Sequence, residues 1–273
     1  MFQDKYPHFK RDSILKSEML INLMEYPRDM FSLVYEDYSD GIITGVDVTV
    51  KDNEMADNAV VESTFDSDED QIIVKSGIIK HQGKLYLMKE KQYIGYEATE
   101  KKMILKVVFD TPVITADFTT SRAKIVLSDE PVQGEDEMEL CRFLLKAGAK
   151  LRQNYQDMDD FTTVHNTINR LYVPYAGIGG TTIAPEITYY FGEALMKSNV
   201  TNPYDIAFAM QCMQNKQIHR PLIMQYLKLR MGATENINNE QIHSYFASIL
   251  AEVQKGRGSR SAGTRTGRRV IVD

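Results

Sequence analysis

The hydrophobic period of this chain changes near Pro131, and that change constrains the possible folds more than any other feature. Before Pro131 the apolar residues come in short alternating runs cut by Asp40-Gly41 and by later glycines, as strands and tight turns require. After it they recur every three or four residues, which places them on one face of a helix. The expected class is α+β: an N-terminal antiparallel β sandwich or open barrel followed by a C-terminal helical bundle, with extended terminal arms. At 273 residues the chain is long enough for each part to have its own core.

Four segments follow from this pattern. Residues 1–30 read as an arm with aromatic anchors Phe2, Tyr6 and Phe9, then a short helix from Asp12 to Met24 that Pro27 ends. Residues 31–130 read as the β module, with a turn or strand through Phe31 to Tyr35 at its start. Strands are expected in the run Ile43 to Val50, at Val60-Val61, from Ile72 to Ile79, from Leu85 to Met88, from Lys102 to Phe109, from Val113 to Phe118 and from Ala123 to Leu127. Gly83 is expected at positive φ in a hairpin between the runs ending at Ile79 and beginning at Leu85. Residues 128–137, rich in charge with Pro and Gly, read as a linker into the helical module 131–254. Helices are expected at 135–154, 157–171, 185–197, 203–216, 221–231 and 239–254, three of them beginning at Pro185, Pro203 and Pro221. A mobile loop, 173–184, interrupts them. Residues 255–273 read as a disordered Arg/Gly-rich tail.

The sequence shows no catalytic pattern, and neither an enzymatic activity, a metal nor a cofactor is expected. The acidic run Asp66–Asp70 spaces carboxylates as a calcium loop does, but Gln71 stands where that loop needs Gly and Gly77 where it needs Glu. Gly177, Gly179 and Gly180 precede a helix, yet no strand leads in and no Lys follows, so a phosphate loop is not expected. The histidines His8, His81, His165, His219 and His243 are not paired at metal spacing, and no Ser sits in a nucleophile elbow. Cys141 and Cys212 fall among apolar neighbours, either as buried free thiols or as one disulfide.

A net charge of −6 argues against bulk attraction to nucleic acid. Positive charge is nevertheless concentrated at the C-terminal end, where Arg257, Arg260, Arg265, Arg268 and Arg269 are candidate partner-binding residues together with Phe2, Tyr6 and Phe9. Spaced arginines suit phosphates or an acidic protein groove, but the tail has no aromatic residue for base stacking. Its closing RRVIVD is a segment that could add a strand to a partner's open sheet. No stretch approaches the length of a membrane span, and no apolar leader precedes the fold, so a soluble cytoplasmic protein is expected.

The segment 39–88 opens on Asp40-Gly41, continues with Gly45-Val46 into a strand, carries Ile-x-Val-x-x-Gly at Ile72 to Gly77 and closes on Gly83. In this it resembles the β modules of phage tail and baseplate proteins and of contractile injection systems. The resemblance implies a structural subunit of such a particle, in several symmetric copies, whose partners are other baseplate or tail subunits and copies of itself. The other reading is a nucleic-acid-associated adaptor tethered by its arginine tail.

Overall fold

A computed structural model describes residues 4–9, 11, 14–50, 70–198, 200–234 and 237–261. The chain is α+β, with antiparallel sheets in its N-terminal part and helices in its C-terminal part. It opens with α1 (Ser17–Val34). The strands are β1 (Gly41–Gly45), β2 (Val48–Val50), β3 (Gln71–Val74), β4 (Gly77–His81), β5 (Lys84–Met88), β6 (Gln92–Gly95), β7 (Lys102–Phe109), β8 (Val113–Ile114), β9 (Thr119–Thr120), β10 (Ala123–Ser128) and β11 (Glu137–Leu144). The C-terminal helices are α2 (Pro185–Lys197), α3 (Pro203–Gln214), α4 (Arg220–Met231) and α5 (Asn239–Ser261).

The strands form three small antiparallel sheets, β1-β4-β5, β2-β3-β6 and β10-β7-β11, plus the ribbon β8-β9. The 72–79 run is split: Lys75 and Ser76 separate β3 from β4, which belong to different sheets. Gln82 and Gly83, at φ 47° and 72°, close a two-residue hairpin between β4 and β5, the primed turn that matches strand twist. Gly45 stands at φ 68°, and a Cβ on it would lie 2.1 Å from the Ser76 carbonyl oxygen, so the β1–β4 register requires glycine there.

The structure departs from the sequence reading at both ends and in the middle of the chain. The helix expected at 135–154 is β11, which pairs with β7 from Glu137↔Val108 to Leu144↔Lys102. Its run EMELCRFL is almost continuously buried, and a run that short carries no decisive period. The expected linker 128–137 therefore joins two strands on either side of β7. Phe109 N–H donates to Asp136 O across it at 2.9 Å. The helix expected at 157–171 is irregular backbone with one short 3₁₀ turn (Asp159–Phe161), held to β11 where Arg142 and Asn169 exchange backbone hydrogen bonds, Leu144 N–H donates to Val164 O and Asn166 N–H donates to Leu144 O. At the N-terminus α1 runs through Pro27 and absorbs the turn expected at 31–35, at the expense of the hydrogen bond that proline cannot donate. At the other end α5 continues through Ser261, so residues 255–261 are helical where disorder was expected. The strand expected at Val60-Val61 and the acidic run 66–69 lie outside the described residues.

Two buried layers hold the helices. Phe191 of α2 stacks on Phe246 of α5 at 4.1 Å, and Phe208 of α3 stacks on Tyr226 of α4 at 4.0 Å. Gly192 lets α2 and α3 approach closely, since a Cβ there would meet Cys212 Cβ at 2.7 Å. Beneath them buried Asp205 accepts from Tyr226 Oη at 2.9 Å and Arg230 Nε at 3.1 Å, and Arg230 reaches Glu252 of α5 at 2.9 Å. Asn202 accepts from Tyr204 N–H and caps α3.

Phe246→Ala should cost about 3–5 kcal/mol in chemical denaturation, because a fully buried ring leaves a cavity in the aromatic stack. Asp160 gives a second test. Arg152 grips its carboxylate with two guanidinium nitrogens and Gln156 N–H donates to it at 2.7 Å, so its pKa falls to about 2. A depressed carboxylate pKa stabilises the fold fully above the ordinary value of 3.8, and the contribution is lost as pH falls through about 2. Asp160→Asn should therefore cost about 1–2 kcal/mol at pH 7, discounted because Arg152 is partly exposed, and the gap from the parent protein should close in melts run from pH 4 down to pH 2.

Candidate functional site

The largest unexplained surface is α1. In helical projection Met19, Leu20, Leu23, Met24, Tyr26, Met30, Phe31, Leu33 and Val34 occupy one half of the cylinder with Pro27. Glu18, Asn22, Glu25, Arg28, Asp29 and Ser32 occupy the other, together with one apolar residue, Ile21. Yet none of its residues is buried, and Leu23, Met24, Met30, Phe31 and Leu33 stand 49% to 68% exposed, with Met19 and Tyr26 half-buried. A lone helix of this length is marginal in water, since helices draw most of their stability from packing an apolar face. A contiguous exposed stripe of this kind marks an interaction site.

The helix is attached at its C-terminal end. Lys80 Nζ donates to the carbonyl oxygens of Tyr35 at 2.6 Å, Glu36 at 3.0 Å and Tyr38 at 2.6 Å, placing a cation where the helix dipole is negative. The last turn then borders a groove of about 830 Å³ between β5 and the β9–β10 segment, with Val46, Ile79 and Val107 among its buried lining. Beside the groove the β8–β9 ribbon exposes Val113, Ile114 and Phe118. Apolar surface thus runs from α1 across the groove to this ribbon.

Tyr6 and Phe9 are both exposed, Tyr6 meeting only the ring of His8 edge-on at 5.0 Å among the ring contacts. Arg257 and Arg260 lie on the last turns of α5, not in an irregular tail. Phe2, Arg265, Arg268 and Arg269 lie outside the described residues. The sequence reading missed α1 as a surface because it ended the helix before Pro27. Carrying the helical period through the proline would have shown the stripe.

The loop 173–184, expected to be mobile, is largely buried and pinned. Ile42 N–H donates to Pro174 O and Ala176 N–H to Ile42 O, both at 2.9 Å, while Ser39 and Gly177 exchange hydrogen bonds at 3.0 Å. Buried Arg170 binds Glu186 of α2, the Tyr175 hydroxyl and Val46 O. These groups engage one another and join the two halves, although Arg170 Nε and Glu186 Oε2 are buried without a hydrogen-bond partner among the described residues, so the cluster serves packing.

Among the described residues no cluster of His, Cys, Asp and Glu could hold a metal ion. His165 is exposed, His219 accepts from Ile178 N–H, and His243 Nε2 lies 2.6 Å from Met158 O with its pKa lowered by burial; the three do not converge. Cys141 and Cys212 are free and buried, and burial pushes each thiol up to about 12, which leaves them unreactive at neutral pH. No helix among the described residues is long and apolar enough to cross a membrane.

No protein-family model matches the chain, and no curated protein matches it. A solved structure of TssK aligns over 93% of this chain and 72% of its own length at 8% identity, with a TM-score of 0.38. That fit is too loose to inform a role.

Because Leu23 and Met30 are both about half exposed, Leu23→Asp combined with Met30→Asp should leave the melting temperature within about 3 °C of the parent by differential scanning fluorimetry.

Proposed function

We propose that this protein is a non-enzymatic structural subunit of a phage-like contractile tail or injection-system baseplate, acting through protein–protein contacts. The observation that carries the reading is an 18-residue amphipathic helix whose apolar half has no buried residue and is mostly exposed, while its C-terminal end is fastened to the body by Lys80. Such a helix is stabilised when another polypeptide covers it, and a subunit that docks an arm on a neighbour meets that need. The resemblance of residues 39–88 to tail and baseplate β modules supports the same reading. Tyr6 and Phe9, exposed just ahead of α1, extend the docking surface in sequence.

The neighbours would cover the face of Leu20, Leu23, Met24 and Phe31, and the body behind it would act as a rigid platform. Co-expression with the products of adjacent genes, followed by size-exclusion chromatography with light scattering, tests this. A stable complex is expected. It should weaken at least tenfold in the Leu23→Asp/Met30→Asp variant, whose apolar contacts become buried charges. A chain that stays alone beside every neighbour, or a complex indifferent to those substitutions, overturns the reading.

A further inference from the structure

The groove between β5 and β10 has the geometry of an unfilled strand position. β5 ends the sheet β1-β4-β5 and β10 ends the sheet β10-β7-β11, so among the described residues each has one edge without a partner strand. The hydrogen-bond parity of each ladder shows which groups are free. Across a two-residue hairpin the flanking pair His81↔Lys84 is hydrogen-bonded, and bonded pairs alternate from there. The N–H and C=O groups of Leu85 and Leu87 therefore point away from β4. On the other side Asp110 N–H donates to Arg122 O at 2.9 Å, which makes Arg122↔Asp110 a bonded pair and turns the backbone groups of Ala123 and Ile125 away from β7. Those four residues line the groove.

The strands start together, and residues of both line the groove. Lys84 Nζ lies 3.4 Å from Ser121 Oγ at the end where both begin. Positive charge gathers there, since Lys84 and Arg122 line the groove and no acidic residue does. At its other end β10 leads into Asp129, already paired with Lys101 at 2.9 Å, and Glu130.

We propose that the segment Arg268–Asp273 of a second copy of this chain adds as the missing strand, antiparallel to β5 and β10. Val270, Ile271 and Val272 are three consecutive β-branched residues, the type that packs best in a strand, and the groove lining is apolar. The segment is polar in the matching sense. Asp273 would reach the Lys84 and Arg122 end, and Arg268 and Arg269 the Asp129 and Glu130 end. Backbone pairing would supply affinity and the charged ends the direction.

The strand must come from another copy. α5 begins where Asn239 Nδ2 donates to Leu171 O and Asn239 lies beside Arg220 at the start of α4, and Glu252 further along lies beside Arg230 near the end of α4. The helix thus leads away from the sheets, and its 23 residues carry Ser261 about 34 Å from that start. Residues 262–269 span at most about 29 Å even fully extended, less than the length of α5 itself. A donor site and an acceptor site on different faces make a head-to-tail contact, which yields rings or open chains of copies. The inference rests on the structural-subunit reading only in taking the chain to work as repeated copies.

The test is disulfide trapping in purified full-length protein, with no neighbour present, so its failure is distinct from failure of the co-expression experiment. Leu87→Cys chains are mixed with Val270→Cys, Ile271→Cys or Val272→Cys chains, and Leu229→Cys on α4 serves as the exposed control acceptor. Cross-linked dimers between Leu87→Cys and the tail should exceed the control at least fivefold and alternate along the three tail positions. Adding Lys84→Glu and Arg122→Glu to the acceptor, or Val270→Pro to an Ile271→Cys donor, should each cut the yield several-fold. Yields equal to the control, no response to those changes, or a Leu87→Cys/Ile271→Cys double variant that cross-links only within one chain overturns the proposal.

Discussion

The buried guanidinium of Arg170 is the contact on which the rest of the architecture depends. It cannot give up its charge, so burial is tolerable only because Glu186, the Tyr175 hydroxyl and Val46 O converge on it. Those partners come from the first helix of one half, the strap that precedes it and the turn after β1. One cation thereby fixes the angle between sheets and helices, and the backbone exchanges of Ile42 and Ser39 with residues 174–177 extend the joint along β1. Replacing any partner would leave charge or polarity stranded in a dry interior.

This joint explains how the body can be rigid while its contact surfaces are not self-satisfied. The core runs without a break from Ile42 and Ile72 through Leu105, Phe143 and Ile168 to Phe191 and Phe246. Everything outside that core is exposed for reasons of connectivity. α1 leaves the body before β1 and is fastened at one end by Lys80, so its apolar half finds no cover. The edges of β5 and β10 stay open because each sheet is only three strands wide. A structural subunit has use for both features: one donates a helix and the other accepts a strand.

Local chemistry accounts for the elements that could be read directly. Gln82-Gly83 requires a primed turn, β7 is a run of β-branched and apolar residues long enough to be unambiguous, and Pro185, Pro203 and Pro221 each stand in the first turn of a helix whose apolar period continues for three turns. The failures share one cause. The runs around Leu140 and Ile168 are apolar at both periods, so their state follows from the partner that meets them. The exposed surface was legible only in part, since Tyr6 and Phe9 were recognisable as anchors but the α1 stripe was hidden behind Pro27.

The sequence by itself determined the α+β order of the chain, its hairpin and its last four helices, because each is written in contacts between residues no more than a few positions apart. Only the tertiary structure decided that 137–144 is a strand, that 173–184 is a buried strap and that two strand edges flank one groove. Those outcomes depend on an open edge of β7, on a charge at Arg170 needing distant partners and on the spacing of separate sheets. Such quantities arise from residues far apart in the chain, and no local period encodes them.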